Sequence, residues 1–175
     1  VLASCGQKKK EQRDSHLKSL KTKKEAFFNN SDGAEYDFEE AQNLVNEYDS
    51  FITKYPKDSM APALIMELAS IQVNYLGSLQ DAIESYLSIH EKYPESNKAA
   101  VGVLAAASIY DNRLGDVEKA KEYYQLLMDE YPEHELAEQA KILFDNAGKS
   151  ADELYEEIRK KNQSGKFGDQ DSQVN

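Results

Sequence analysis

The chain has 175 residues, a net charge of −11, no tryptophan and one cysteine. That length suits one domain with tails, and a single cysteine excludes an internal disulfide or a cysteine-based zinc cluster. No apolar run approaches the roughly 20 residues that cross a bilayer. The charge is uneven, +5 over residues 1–29 and −16 over the remainder, so the acidic body disfavours binding to nucleic acid phosphates.

The first residues are Val1-Leu2-Ala3-Ser4-Cys5-Gly6. The tetrad Leu2-Ala3-Ser4-Cys5 resembles the lipobox of bacterial lipoproteins: small residues suit the cut before the cysteine, and a thiol carries the lipid. The resemblance implies a covalent lipid on Cys5 and anchoring by several acyl chains, since one chain holds only marginally. Gly6 in place of an inner-membrane retention aspartate implies the outer membrane. Basic rather than acidic residues after Cys5 imply its periplasmic face. Lys8, Lys9 and Lys10 either rest on anionic headgroups or form a solvated tether.

A first helix is expected from about Asp14 to Phe28, where Leu17, Leu20, Phe27 and Phe28 fall at helical spacing. Asn29 to Gly33 reads as a loop. A second helix runs from about Asp37 to Lys54 with Phe38, Leu44, Val45, Tyr48, Phe51 and Ile52 inward. The chain then repeats itself. Tyr55-Pro56, Tyr93-Pro94 and Tyr131-Pro132 are each 38 residues apart, a period that marks a stack of repeated units. Residues 61–94 slide onto 99–132 without a gap. Ala69-Ser70-Ile71 meets Ala107-Ser108-Ile109, Gly77 meets Gly115, Ala82 meets Ala120, and Tyr86 meets Tyr124.

Gly77 and Gly115 end one helix in a conformation that favours glycine. Ser78 and Asp116 cap the next, Ser78 with Asp81 approximating a capping box. Ala82 and Ala120 allow close helix approach, and the prolines close each second helix. After Pro132, Leu136, Ala137, Ala140, Ile142, Leu143 and Phe144 make a helix stopped by Gly148. Ser150 and Glu153 form a capping box for a last helix carrying Leu154, Tyr155 and Ile158, expected to cover the open end of the stack. The division is a lipobox remnant and tether (1–13), a helical domain (14–161) and a disordered tail (162–175).

The run Leu114-Gly115-Asp116 through Tyr124-Gln125 to Tyr131-Pro132 closely resembles a tetratricopeptide repeat. Ser70 and Ser108, Ala82 and Ala120, Tyr86 and Tyr124, and Pro94 and Pro132 fall at that family's small, alanine, aromatic and proline positions. Its early large aromatic is replaced by Met66 and Leu104, and its usual period is shorter, about 34 residues. The resemblance implies an all-α antiparallel helix-turn-helix solenoid of about seven to eight helices with a capping C-terminal helix. It also implies a concave face lined by the first helix of each pair. Carried onto this chain, the family's groove positions are Leu64, Glu67, Ile71, Asn74, Tyr75, Ala105, Ile109, Asn112 and Arg113. Ile71 and Ile109 read equally well as core.

No catalytic constellation appears. His16, His90 and His134 lie on different elements without ligand spacing, and there is neither a phosphate loop nor a nucleophile elbow. No catalytic residue, metal, small-molecule substrate or cofactor beyond the covalent lipid is expected. The combination resembles small outer-membrane tetratricopeptide lipoproteins, of the BamD and YbgF/CpoB types. It implies a non-catalytic adaptor for protein partners of the cell envelope, as an accessory subunit of an outer-membrane complex. The alternatives are a periplasmic chaperone or secretion accessory for basic or unfolded clients, and a non-catalytic subunit of an envelope enzyme complex.

Overall fold

The structure, a computed structural model, describes residues 2–30 and 37–167, with side chains over 6–29 and 37–162. The described residues form helices without strands: α1 (Leu2–Asn30), α2 (Phe38–Lys54), α3 (Ala61–Ile71), α4 (Leu79–Lys92), α5 (Asn97–Ile109), α6 (Val117–Glu130), α7 (Leu136–Asn146) and α8 (Ala151–Phe167). The helical solenoid expected from the period is the fold observed. Each helix from α1 to α6 packs on the next, and α3 also touches α5, as α5 touches α7, whereas among the described residues α8, expected to cover the open end of the stack, packs closely on none of them. The first helices of successive pairs therefore pack side by side, while the second helices splay apart. This curvature puts α3, α5 and α7 on the inner side of the stack.

The tyrosine of each Tyr-Pro pair is a helix C-cap. Tyr55, Tyr93 and Tyr131 leave the helical region together, with ψ of 58°, 53° and 50°. Each donates its N–H one turn back, to Phe51 (2.9 Å), Ile89 (2.8 Å) and Leu127 (2.9 Å). Its own carbonyl then accepts from Asp58, Ser96 or His134. The same three residues also accept, through their side chains, the backbone N–H two residues on, Ser96 as the N-cap of α5 and the other two just ahead of α3 and α7. Asp58 Oδ1 accepts from the Met60 N–H at 2.9 Å, Ser96 Oγ from Lys98 at 3.2 Å, and His134 Nδ1 from Leu136 at 3.2 Å. A carboxylate, a hydroxyl and an imidazole thus satisfy one orphan donor at one position of the repeat.

The turn inside each pair is wider than the sequence implies. α3 and α5 end in π-helical turns, Gln72–Leu76 and Tyr110–Leu114. Gly77 and Gly115 then take φ of 65° and 68°, as the sequence reading requires. The Gln72 carbonyl accepts from the N–H groups of Gly77 and Ser78, and the Tyr110 carbonyl from those of Gly115 and Asp116. Asp116 caps α6 through the Lys119 N–H at 3.1 Å. Ser78 makes no side-chain cap bond, so the Ser78–Asp81 box does not form. The Ser150–Glu153 box does, with reciprocal bonds of 2.7 and 3.3 Å.

Two differences concern the ends. A single helix runs from Leu2 through the segment read as a tether, without a break near Asp14. α8 continues past Asn162 to Phe167, and of its apolar residues Leu154 is half-buried while Tyr155 and Ile158 are exposed. Of the loop expected at Asn29 to Gly33, Asn29 and Asn30 instead close α1, and residues 31–33, like the tail 168–175, lie outside the described residues. Phe38, expected inward, stands 59% exposed in the first turn of α2, before the face that packs begins at Ala41.

Candidate interaction face

The nine expected groove residues divide by burial. Leu64, Ile71 and Ile109 are core, 4%, 2% and 7% exposed. Leu64 and Ile71 pack with Leu17, Leu20 and Phe27 of α1, and Ile109 packs into the cluster around Tyr86, Tyr110 and Tyr124. These three cannot present themselves to a partner. The cluster around Leu64 and Ile71 is shared with α2, so part of the face that repeat matching leaves open is filled by side chains of the chain's own first two helices.

Tyr75 is half-buried because α1 reaches it. Its ring meets Phe27 edge-on at 5.0 Å and Phe28 at 5.8 Å. Glu67 bridges three helices, accepting from the hydroxyl of Tyr48 on α2 and pairing with Lys24 of α1 at 2.9 Å. Burial, reinforced by that carboxylate, pushes the Tyr48 phenol far above its ordinary range. Asn74, Asn112 and Arg113 are exposed, and Ala105 is half-buried. Asn74 and Asn112 each donate to the carbonyl one turn back, Ser70 at 2.9 Å and Ser108 at 3.1 Å. Both amides are thereby held in equivalent places on neighbouring first helices. The surface subset is Glu67, Asn74, Ala105, Asn112 and Arg113.

Beside this subset lies a shallow, mostly apolar cleft of about 230 Å³ where α1, α2 and α3 meet, lined by Lys24, Phe28, Tyr48, Met66, Glu67, Ser70 and Ile71. Repeat matching reached only Glu67 and Ile71 here. Lys24 and Phe28 were missed because α1 belongs to no repeat; their spacing of one helical turn was the one available signal.

A second tie at the far end of α1 fixes its register. Arg13 donates from Nε and an Nη to the two carboxylate oxygens of Asp58, at 2.6 and 2.8 Å. This planar, bidentate pairing holds the Asp58 carboxyl below its ordinary value and raises the guanidinium above its own.

The histidines take structural places, His16 against the rings of Phe51 and Tyr55, His90 bonded through Nδ1 to the Tyr131 hydroxyl at 2.6 Å, and His134 as a cap. Among the described residues no group of three His, Cys, Asp or Glu side chains is placed to hold a metal.

Residues 103–134 match the family model of the tetratricopeptide repeat. The matched segment spans most of α5, the wide turn at Gly115, α6 and the Tyr131-Pro132 cap. None of the curated proteins matches the chain. Tetratricopeptide repeats generally bind protein partners and are typically non-catalytic scaffolds, and the curved stack with exposed polar residues on its inner side is a surface of that kind.

Proposed function

We propose that the protein is a lipid-anchored, non-catalytic adaptor of the bacterial cell envelope, accessory to an outer-membrane complex and facing the periplasm. The observation that carries the adaptor role is the pair of equivalent, exposed asparagines, Asn74 and Asn112, on the inner side of a tetratricopeptide-like stack. The lipobox-like Leu2-Ala3-Ser4-Cys5 supports the anchor. A helix that continues on from Cys5 and docks through Arg13, Leu17 and Leu20 would hold the stack close to the membrane surface.

Crosslinking in native membranes tests both halves. Cys5→Ala is expected to release the protein from the membrane fraction on washing at high salt, which removes electrostatic attachment but not an acyl anchor. Asn74→Arg combined with Asn112→Arg is expected to abolish a specific crosslinked band at unchanged thermal stability. Retention of Cys5→Ala at high salt in membranes stripped of partners would sink the anchor, and an unchanged crosslinking pattern in the double variant would sink the inner-face assignment.

The net −16 beyond residue 29 supports the second reading, a periplasmic chaperone or secretion accessory for basic or unfolded clients. Promiscuous capture that weakens steeply with salt would favour it over the adaptor.

A further inference from the structure

Where α1 passes the C-terminus of α2, the surface opens into a recess of about 450 Å³ lined by Lys9, Lys10, Gln12, Arg13, Lys54 and Tyr55. It is lined by four cationic residues and no acidic one, on a chain whose net charge is −11. Arg13 is engaged by Asp58 and Asp14. Among the described residues Lys9, Lys10 and Lys54 make no salt bridge, and Lys54 leans its ammonium over the Tyr55 ring, 5.6 Å from the centroid. The partial charge of α2's carbonyl end, about −0.5, balances less than one of these three lysines. The recess wall also carries the one buried side-chain polar atom without a hydrogen-bond partner among the described residues, the hydroxyl of Tyr55.

Uncompensated ammonium groups converging on a concavity match a compact, multiply charged anion with several acceptor oxygens. Lys9 lies one helical turn beyond Cys5, about 6 Å along the axis, so the recess opens where the lipid-anchored reading places the bilayer. We infer that this recess binds the phosphate groups of anionic phospholipids and so orients the stack on the membrane. The choice of a lipid source rests on the membrane-tethered reading; the anion site itself does not.

The test uses the full chain carrying Cys5→Ala, so that no acyl chain contributes. Flotation is measured with phosphatidylcholine vesicles with and without phosphatidylglycerol. Binding is expected to the phosphatidylglycerol vesicles only. Each lysine near such a surface is worth roughly a factor of five, so Lys9→Gln, Lys10→Gln and Lys54→Gln together should weaken binding on the order of a hundredfold. The control is Lys18→Gln with Lys21→Gln, two exposed lysines of α1 outside the recess, expected to cost far less per charge removed. Equal loss per charge in the control, or no loss in the recess variant, overturns the site. Displacement by millimolar inorganic phosphate at constant ionic strength would assign it to free phosphate and overturn the lipid source. Because acylation is absent throughout, failure of the Cys5 anchor and failure of the recess give separate results.

Discussion

The N-terminal layer and the centre of the stack solve the same packing problem by different means. Between α4, α5 and α6 the contact is made of small residues. Ala82, Ala100, Ala106, Ala107 and Ala120 are fully buried, and Gly102 sits so close to α4 that a Cβ there would stand 2.6 Å from the Tyr86 carbonyl oxygen. Between α1, α2 and α3 the contact is made of large and polar groups, the Tyr48–Glu67–Lys24 bridge, the Arg13–Asp58 fork and the rings of Phe27 and Tyr75. Small residues let backbones approach at a fixed distance and so set the curvature. Directional bonds instead select one register for a helix that no repeat dictates. The centre is a generic scaffold; the N-terminal layer is particular to this chain, and it shapes the cleft and the cationic recess.

The largest expected effect is at the close approach. Gly102→Val should destabilise the fold by about 3 kcal/mol, since α5 must move away from α4, read as a drop in the urea midpoint. A neutral result would mean that the spacing of the centre is set elsewhere.

Next comes the register of α1. Arg13→Gln should cost about 2 kcal/mol, as a bidentate bond to a charged, mostly buried carboxylate is lost, with Asp58→Asn adding little more in a double-mutant cycle. The pair also predicts a pH signature. The Asp58 carboxyl is held below its ordinary 3.8 by Arg13, so its contribution is present above that value and is lost as pH falls through the lower, folded value. Acid titration of stability should accordingly be flatter in Arg13→Gln than in the parent.

The three aligned tyrosines sharpen the comparison. Tyr48 donates to Glu67, Tyr124 to Asp111 over a longer 3.3 Å, and Tyr86 makes no side-chain hydrogen bond among those described. Phenylalanine should cost about 1.5 kcal/mol at Tyr48, about 0.5 at Tyr124 and close to nothing at Tyr86. Equal costs would show that the hydroxyls do not distinguish the two regions. All three phenols are raised by burial. Their contribution is complete below the unfolded value near 10 and is lost as pH rises above it, so alkaline unfolding should be the shared weakness of the stack.

The smallest effect belongs to the caps. Ser96→Ala should lower stability by about 1 kcal/mol and Ser78→Ala by only a few tenths, because Ser96 accepts the Lys98 N–H and Ser78 caps nothing through its side chain. At this chain length that separates the two melting temperatures by roughly 2–3 °C.

The sequence by itself determined the helical solenoid and its punctuation, because these rest on local rules repeated at a fixed interval. Gly77 and Gly115 needed a left-handed conformation, proline ended each second helix, and Ser150 with Glu153 opened the last one. The inner face was half legible: repeat matching found Asn74 and Asn112, whose neighbours lie one turn away on the same helix. It misplaced Leu64, which is buried in the cluster that α1, α2 and α3 share. Only the tertiary structure decided where α1 lies. Arg13 meets Asp58 across 45 residues and Lys24 meets Glu67 across 43, and no local pattern links such pairs. The wide π-helical turns were likewise hidden, because a change from one helical hydrogen-bond register to the next leaves the residue types unchanged. The cationic recess follows from the same cause. Lysines on α1 and α2 look like ordinary solvated charge until the packing of two helices brings them to one concavity and leaves the acidic residues outside it.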